Sequence, residues 1–225
     1  MIVAMDGPAG TGKGTISKLI AERLDFTYID TGAMYRCITL KMLDNDISLE
    51  DTKKIEDMFE NTVISFKNEK DENGRLTQKV FLDGKDVSSE IRTPRINEKC
   101  SPYSALPLIR SKLVDLQRKL AVGNNVIMEG RDITTVVFPN AELKIYLDAS
   151  PEERANRRYK ELIEKGIETT YEETLESINK RDYNDMHKEV GALKKAEDAI
   201  YVDTTELGIE EVYEKIKSLI MEKMQ

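Results

Sequence analysis

The residues best suited to chemistry lie near the start of the chain, where residues 7–15 read G-P-A-G-T-G-K-G-T. Glycines let the backbone curl so that successive N–H groups point inward, and the start of a following helix adds partial positive charge for anionic oxygens. Lys13 would lie along bridging phosphates as a point charge. We therefore predict a P-loop, a phosphate-binding loop. Its residues are Gly7, Pro8, Ala9, Gly10, Thr11, Gly12, Lys13, Gly14 and Thr15.

The flanking sequence supplies the context that such a loop needs. Residues 1–5 are apolar and partly β-branched, as in a buried strand, and Ile16 and Ile20 follow at helical spacing. An ordinary glycine-rich turn is the alternative, but strand, spacing and helix all favour phosphate binding. Gly14 stands where Ser or Thr usually follows the lysine. The Thr15 hydroxyl is then left to reach Mg²⁺, directly or through one water.

Acidic residues lie at the carboxyl ends of four predicted strands: Asp6, Asp30, Glu129 and Asp148. Asp30 follows the strand-like F-T-Y-I, and Glu129 follows N-V-I-M. An acid at the end of a buried strand beside a phosphate loop is the usual holder of Mg²⁺, although either residue could instead be a simple turn residue. The predicted metal ligands are Thr15, Asp30 and Glu129.

Basic side chains cluster on two helical stretches. Arg154, Arg157 and Arg158 fall at i, i+3 and i+4, so they share one face, and a solvated, salt-bridged helix is the alternative interpretation. Arginine suits bidentate phosphate recognition, and several arginines near one phosphate loop indicate transfer between two phosphate-bearing molecules. A second group lies on the predicted helical stretch 172–188, where Arg181, Asp185 and Lys188 share a face; the other arginines are Arg36, Arg110 and Arg131.

Composition narrows the class of protein. A net charge of −8 argues against a general nucleic-acid or membrane-surface binder. Cys37 and Cys100 are too few for a disulfide framework, and His187, the only histidine, leaves little room for a Ser-His mechanism. The N-terminal apolar run is too short for a signal peptide and no stretch approaches a membrane span. We expect a cytoplasmic monomer.

Five buried strands alternate with helices, which predicts an α/β fold with a doubly wound five-stranded parallel sheet. A small antiparallel β insert is expected within residues 60–92, with turns at Asn73-Gly74 and Asp83-Gly84. We expect residues 1–225 to form one P-loop domain, with a helical lid over residues 150–190.

Several segments together resemble the bacterial cytidylate kinases. Beside the loop, they are D-T-G-A-M-Y-R at 30–36, V-S-S-E-I-R-T at 87–93, G-R-D-I-T-T-V-V-F-P at 130–139, D-A-S-P-E-E-R-A-N-R-R at 148–158 and R-D-Y-N-D at 181–185. The similarity extends along essentially the whole chain, and the Tyr35-Arg36 and Arg131-Asp132 pairs are far more specific than the loop. It implies Mg²⁺-dependent transfer of the γ-phosphate of ATP to CMP and dCMP.

The resemblance also implies roles for individual residues. Lys13, Arg131, Arg154 and Arg158 would be catalytic, with Arg154 and Arg158 on a lid over the ATP phosphates. Arg36 and Arg131 would grip the acceptor phosphate. Thr31, Ser101, Arg110 and Asp132 would surround the cytosine, and Arg181 with Asp185 would hold the sugar. Lys188 would contact the base or the sugar, and Tyr35 would also be a substrate-binding residue. The chain departs from the family pattern at Glu129, Thr134 and Lys188, where Asp, Gly and Arg are expected.

Two further observations concern the chemistry. The acceptor phosphate is already largely dianionic at neutral pH, so no general base is needed. A carboxylate at Asp132 would accept from the exocyclic amine of cytosine and repel the carbonyl of uracil; a salt bridge to Arg131 is the alternative.

Rival functions are a GTPase switch and another small-molecule P-loop kinase. The first rests on N-K-R-D at 179–182 and D-E-N-G at 71–74, neither of which follows a buried strand as a GTPase requires. The second would act on AMP, UMP or a non-nucleotide.

Overall fold

Apolar runs and amphipathic helices alternate along the chain in the computed structural model, which describes residues 1–72 and 76–224. Two compact units result: residues 1–28 with 124–225, and residues 29–123. The strands are β1 (Ile2–Asp6), β2 (Thr27–Asp30), β3 (Ile64–Lys70), β4 (Leu76–Leu82), β5 (Lys85–Asp86), β6 (Val126–Gly130), β7 (Leu143–Asp148) and β8 (Ile200–Asp203).

The helices of the described residues begin and end close to the apolar periodicities of the sequence. They are α1 (Lys13–Leu24), α2 (Thr31–Asp44), α3 (Thr52–Glu60), α4 (Pro94–Ala105), α5 (Pro107–Leu120), α6 (Pro151–Glu164), α7 (Tyr171–Met186) and α8 (Ile209–Met224). Ser150 caps α6 by accepting from Glu153 N, the role that favours serine before a helix. Across residues 1–72 and 76–224, no helix combines the length and apolar character needed to cross a membrane.

The larger sheet has the strand order β2-β6-β1-β7-β8. β1 pairs in parallel with both β6 and β7, and β7 pairs in parallel with β8. Val3, Ala4 and Met5 are fully buried, as expected for a strand of a parallel sheet whose two faces are both covered. The doubly wound parallel sheet is confirmed. Because β1 is central, the loop that follows it starts beside the ends of β6 and β7.

The predicted antiparallel insert is also confirmed, as a three-stranded sheet of order β3-β4-β5 within the unit of residues 29–123. Asp83 and Gly84 join β4 to β5 with φ of 51° and 83°, the conformation that a two-residue hairpin turn requires. The other predicted turn, Asn73-Gly74, lies outside the described residues.

Candidate active site

The loop between β1 and α1 approaches its neighbours so closely that it needs glycine. A Cβ added to Gly7 would lie 1.9 Å from the main-chain oxygen of Leu147, so no other residue fits there. Gly12 precedes α1 in the left-handed conformation and offers no side chain to cap the helix. The partial positive charge of the helix start therefore faces the loop, as in phosphate sites.

Lys13 lies inside the loop rather than in solvent. Its Nζ donates to the main-chain oxygens of Gly7 at 2.8 Å and Pro8 at 2.6 Å, and it is 5% exposed. Burial, with the charge of Arg131 added, lowers the pKa of Lys13 to about 7. The ammonium group of Lys13 is thus held by main-chain carbonyl oxygens of the loop itself.

Glu129 occupies the space beside Gly14. The hydroxyl of the buried Tyr28 donates to Glu129 Oε1 at 2.5 Å, and a Cβ added to Gly14 would lie 2.9 Å from the same oxygen. The missing Ser or Thr of the usual pattern is explained, because a side chain at position 14 would press on this carboxylate. Thr15 is exposed at the start of α1.

The three arginines of α6 that sequence groups together serve three different purposes. Arg154 is buried; its Nη1 donates to Ala9 O at 3.1 Å in the loop and lies 2.6 Å from Asp182 Oδ2 in α7. Arg157 binds Thr204, and the exposed Arg158 pairs with Glu161 at 2.7 Å. Among these arginines, the contact with the loop belongs to Arg154. No pattern in the sequence indicates Asp182 as the partner of Arg154.

A second cluster surrounds Asp185. Arg131 Nε donates to Asp185 Oδ2 at 2.8 Å, and Lys188 Nζ donates to Oδ1 at 2.6 Å although it lies beyond the end of α7. Burial alone would raise the pKa of Asp185, but the charges and hydrogen bonds of Arg131 and Lys188 outweigh it and hold the pKa at about 2. Arg181 Nε lies farther away, 3.9 Å from Asp185 Oδ2.

Asp6, the last residue of β1, is expected from the sequence at the carboxyl end of a strand, but no role is predicted for it. It is fully buried and accepts hydrogen bonds from Ile133 and Thr134, just after Arg131 and Asp132. Burial raises its pKa, and the hydrogen bonds of Thr134 act in the opposite direction. Asp132 is itself 4% exposed.

Within the unit of residues 29–123, Asp30 is engaged in local structure. Its Oδ1 accepts from Ala33 N at 2.9 Å and caps α2, while its Oδ2 lies 3.3 Å from Arg36 and 3.6 Å from Arg92. The Nε atom of Arg36 is buried with no hydrogen-bond partner in residues 1–72 and 76–224. A buried guanidinium N–H of this kind calls for an acceptor.

The remaining predicted residues of that unit include Arg110, which is buried and packs over the ring of Tyr35 at 5.4 Å. Its Nη1 donates to Ser104 O at 3.0 Å. Thr31 is buried at the start of α2, whereas Ser101 is exposed on α4. Burial raises the pKa of the Cys37 thiol to about 12, which makes it inert.

Comparison with known proteins decides between the remaining kinase classes. The family model for cytidylate kinase matches residues 3–222. The chain belongs to the cytidylate kinase family. It is therefore a nucleoside monophosphate kinase, a phosphotransferase, and the resemblance seen in the sequence is confirmed. The GTPase interpretation is wrong, and residues 179–182 lie inside α7.

Individual relatives support the same conclusion. A cytidylate kinase of Fusobacterium nucleatum subsp. nucleatum is 50% identical over 220 residues, covering 98% of this chain and 97% of the relative. One of Caldanaerobacter subterraneus subsp. tengcongensis is 52% identical over 218 residues, covering 97% and 93%. The solved structure of an uncharacterized Eubacterium ventriosum protein has a TM-score of 0.51 at 11% identity, covers 98% of each chain, and supports the fold alone.

Proposed function

We propose that this kinase transfers the γ-phosphate of ATP to CMP, giving CDP and ADP, and that it also accepts dCMP. The observation that carries the proposal is the family match over residues 3–222, which covers the P-loop together with the Arg131-Asp132 segment. The chemistry of the residues agrees with it.

The donor phosphates are assigned to the P-loop. Its amides, the start of α1 and Lys13 offer positive charge to them, and the lysine would exchange its carbonyl partners Gly7 and Pro8 for phosphate oxygens. Arg154 donates to Ala9 O in the loop and would add a second cation. Arg158, which is exposed, would have to leave Glu161 to join it.

The oxygen donors present fit Mg²⁺. Glu129 lies beside the start of α1, where the loop would present phosphate, and the Thr15 hydroxyl is on the first turn. Residues 1–72 and 76–224 hold no cluster of three acidic, His or Cys ligands, which suits a cation held mainly by phosphates, water and one carboxylate. Asp30 fits less well, because Ala33 and Arg36 already engage its oxygens. The bound ion would neutralise charge on the transferring phosphoryl group.

The roles toward the acceptor nucleotide are proposed for each unit by itself. In residues 29–123, Arg36 would bind the acceptor phosphate, since its buried Nε lacks an acceptor among the residues described. In the unit of residues 1–28 with 124–225, Arg131 would bind an acceptor phosphate while Asp185 fixes its Nε. Asp132 would accept from the cytosine amine. The remaining assignments are Thr31, Ser101 and Arg110 toward the base, Arg181 and Asp185 toward the sugar, Lys188 toward the base or sugar, and Tyr35 as a further substrate-binding residue.

The proposed chemistry needs no general base, since the acceptor phosphate is already largely dianionic at neutral pH. The side chains hold two anions in line and offset the charge that develops in the transition state. This agrees with a chain that contains one histidine.

An acceptor panel tests the proposal. ADP release is measured with ATP and CMP, dCMP, UMP, AMP or shikimate, and we expect turnover with CMP and dCMP. Lys13→Ala should abolish it, while Lys18→Ala on the same helix is the matched control. Asp132→Ala should reduce the preference for CMP over UMP by about tenfold or more, the discrimination that one base contact supplies. Preferred turnover of AMP or shikimate by the parent would refute the proposal.

A further inference from the structure

The segment after β6 folds into a tight turn whose first amides point away from solvent. Residues Ile133–Val137 form a single π-helical turn, in which Val137 N donates to Asp132 O at 3.2 Å and Phe138 N donates to Ile133 O at 2.7 Å. The first amides of such a turn have no partner within it. They need an acceptor from elsewhere, because Ile133 and Thr134 are each 1% exposed.

Asp6 supplies that acceptor from a different strand. Its Oδ1 accepts from Ile133 N at 2.9 Å, and its Oδ2 accepts from Thr134 N at 2.7 Å and from Thr134 Oγ1 at 2.6 Å. The parallel pairing sets Asp6 opposite Gly130, so its side chain reaches the turn that Gly130 leads into. Three hydrogen bonds to one fully buried carboxylate fix the turn rigidly.

We propose that Asp6 and Thr134 form a clamp that positions Arg131 and Asp132, and that this clamp sets the affinity and base preference for the pyrimidine monophosphate. Both are positioning residues, since each acts through the turn. The inference rests on the proposed function, in which Arg131 and Asp132 bind the acceptor. A glycine at position 134, the residue expected from the family pattern, would keep the two main-chain donors and lose the hydroxyl.

The clamp can be tested at Thr134 without removing the charge of Asp6. Thr134→Val keeps the size of the side chain but turns a methyl group toward Asp6 Oδ2, so the turn must move away. We expect the KM for CMP to rise about tenfold, the change that loss of one hydrogen bond to a charged group produces. The preference for CMP over UMP should fall. The KM for ATP should change less than about twofold, since the charge near Lys13 is kept.

Thr134→Ser restores the hydroxyl and is the matched variant, with both KM values expected near those of the parent. If Thr134 had a purely structural role, Thr134→Val would lower thermal stability and leave the ratio of the KM values for CMP and ATP unchanged. That result would overturn the proposal. A Thr134→Ser variant whose KM values match those of Thr134→Val would also overturn the proposal.

If Thr134→Val does not fold, Asp6→Asn replaces it; the KM for CMP must then rise more than the KM for ATP, and an equal rise refutes the clamp. A parent enzyme that fails to phosphorylate CMP would instead refute the proposed function, whatever the variants show.

Discussion

At Gly14, the choice of residue depends on a side chain that is distant in the sequence but close in space. A Cβ at this position would lie 2.9 Å from Glu129 Oε1, tighter than real Cβ contacts. Gly14→Ser, which restores the usual phosphate-loop residue, should therefore displace Glu129 and lower kcat/KM for ATP by about tenfold or more. Steady-state kinetics measure this.

Shortening the carboxylate should relieve that contact. Glu129→Asp combined with Gly14→Ser is expected to recover part of the loss, so the two substitutions should be non-additive. Strict additivity would contradict the proposed steric cause.

Asp185 is predicted to link stability to pH. Its folded-state pKa is about 2 against an ordinary 3.8, so its stabilisation is complete above pH 3.8 and is lost as the pH falls through 2. The full contribution is about 2 kcal/mol. Asp185→Asn should be less stable than the parent at pH 6, and the difference should shrink by about 1 kcal/mol by pH 3.

Urea unfolding at both pH values measures the difference. Asp115→Asn, at an exposed position of α5, is the control and should show no such trend. A gap between parent and Asp185→Asn that does not change with pH would count against the depressed pKa.

At the scale of elements, one buried ion pair joins α6 to α7. Arg154 and Asp182 have side chains 4% and 11% exposed, whereas Arg158 and Glu161 on the outer face of α6 are 44% and 45% exposed. Asp182→Ala should lower the free energy of unfolding by about 3 kcal/mol, since it leaves a buried guanidinium unpaired. Glu161→Ala should cost less than about 1 kcal/mol. Equal losses in denaturant titrations would contradict this difference.

The same elements show what sequence can predict. Apolar runs and the turn at Asp83-Gly84 are local signals, and the strands and the turn that they predict are confirmed. The partners of Asp6 and Arg154 depend on strand register and helix packing between distant segments. Spacing placed three arginines on one face of α6, but it carried no information about which of them would meet the loop.

At the scale of the molecule, we expect residues 150–190 to act as a lid that closes over nucleotide. Closure should protect the amides of α6 and α7, so ADP with CMP, which supports no forward turnover, should slow their hydrogen exchange. α3, which carries no predicted site residue, is the internal reference. Equal exchange of α6 and α7 with and without nucleotide would argue against closure.

The close approach of Gly7 to Leu147 limits which substitutions at position 7 can persist in a population. Every amino acid except glycine carries the Cβ that would fall 1.9 Å from that carbonyl oxygen, so any missense change in this codon should be lost from a population whose growth depends on the enzyme. Gly123, where an added Cβ meets no atom within 4 Å, should drift more freely despite its positive φ.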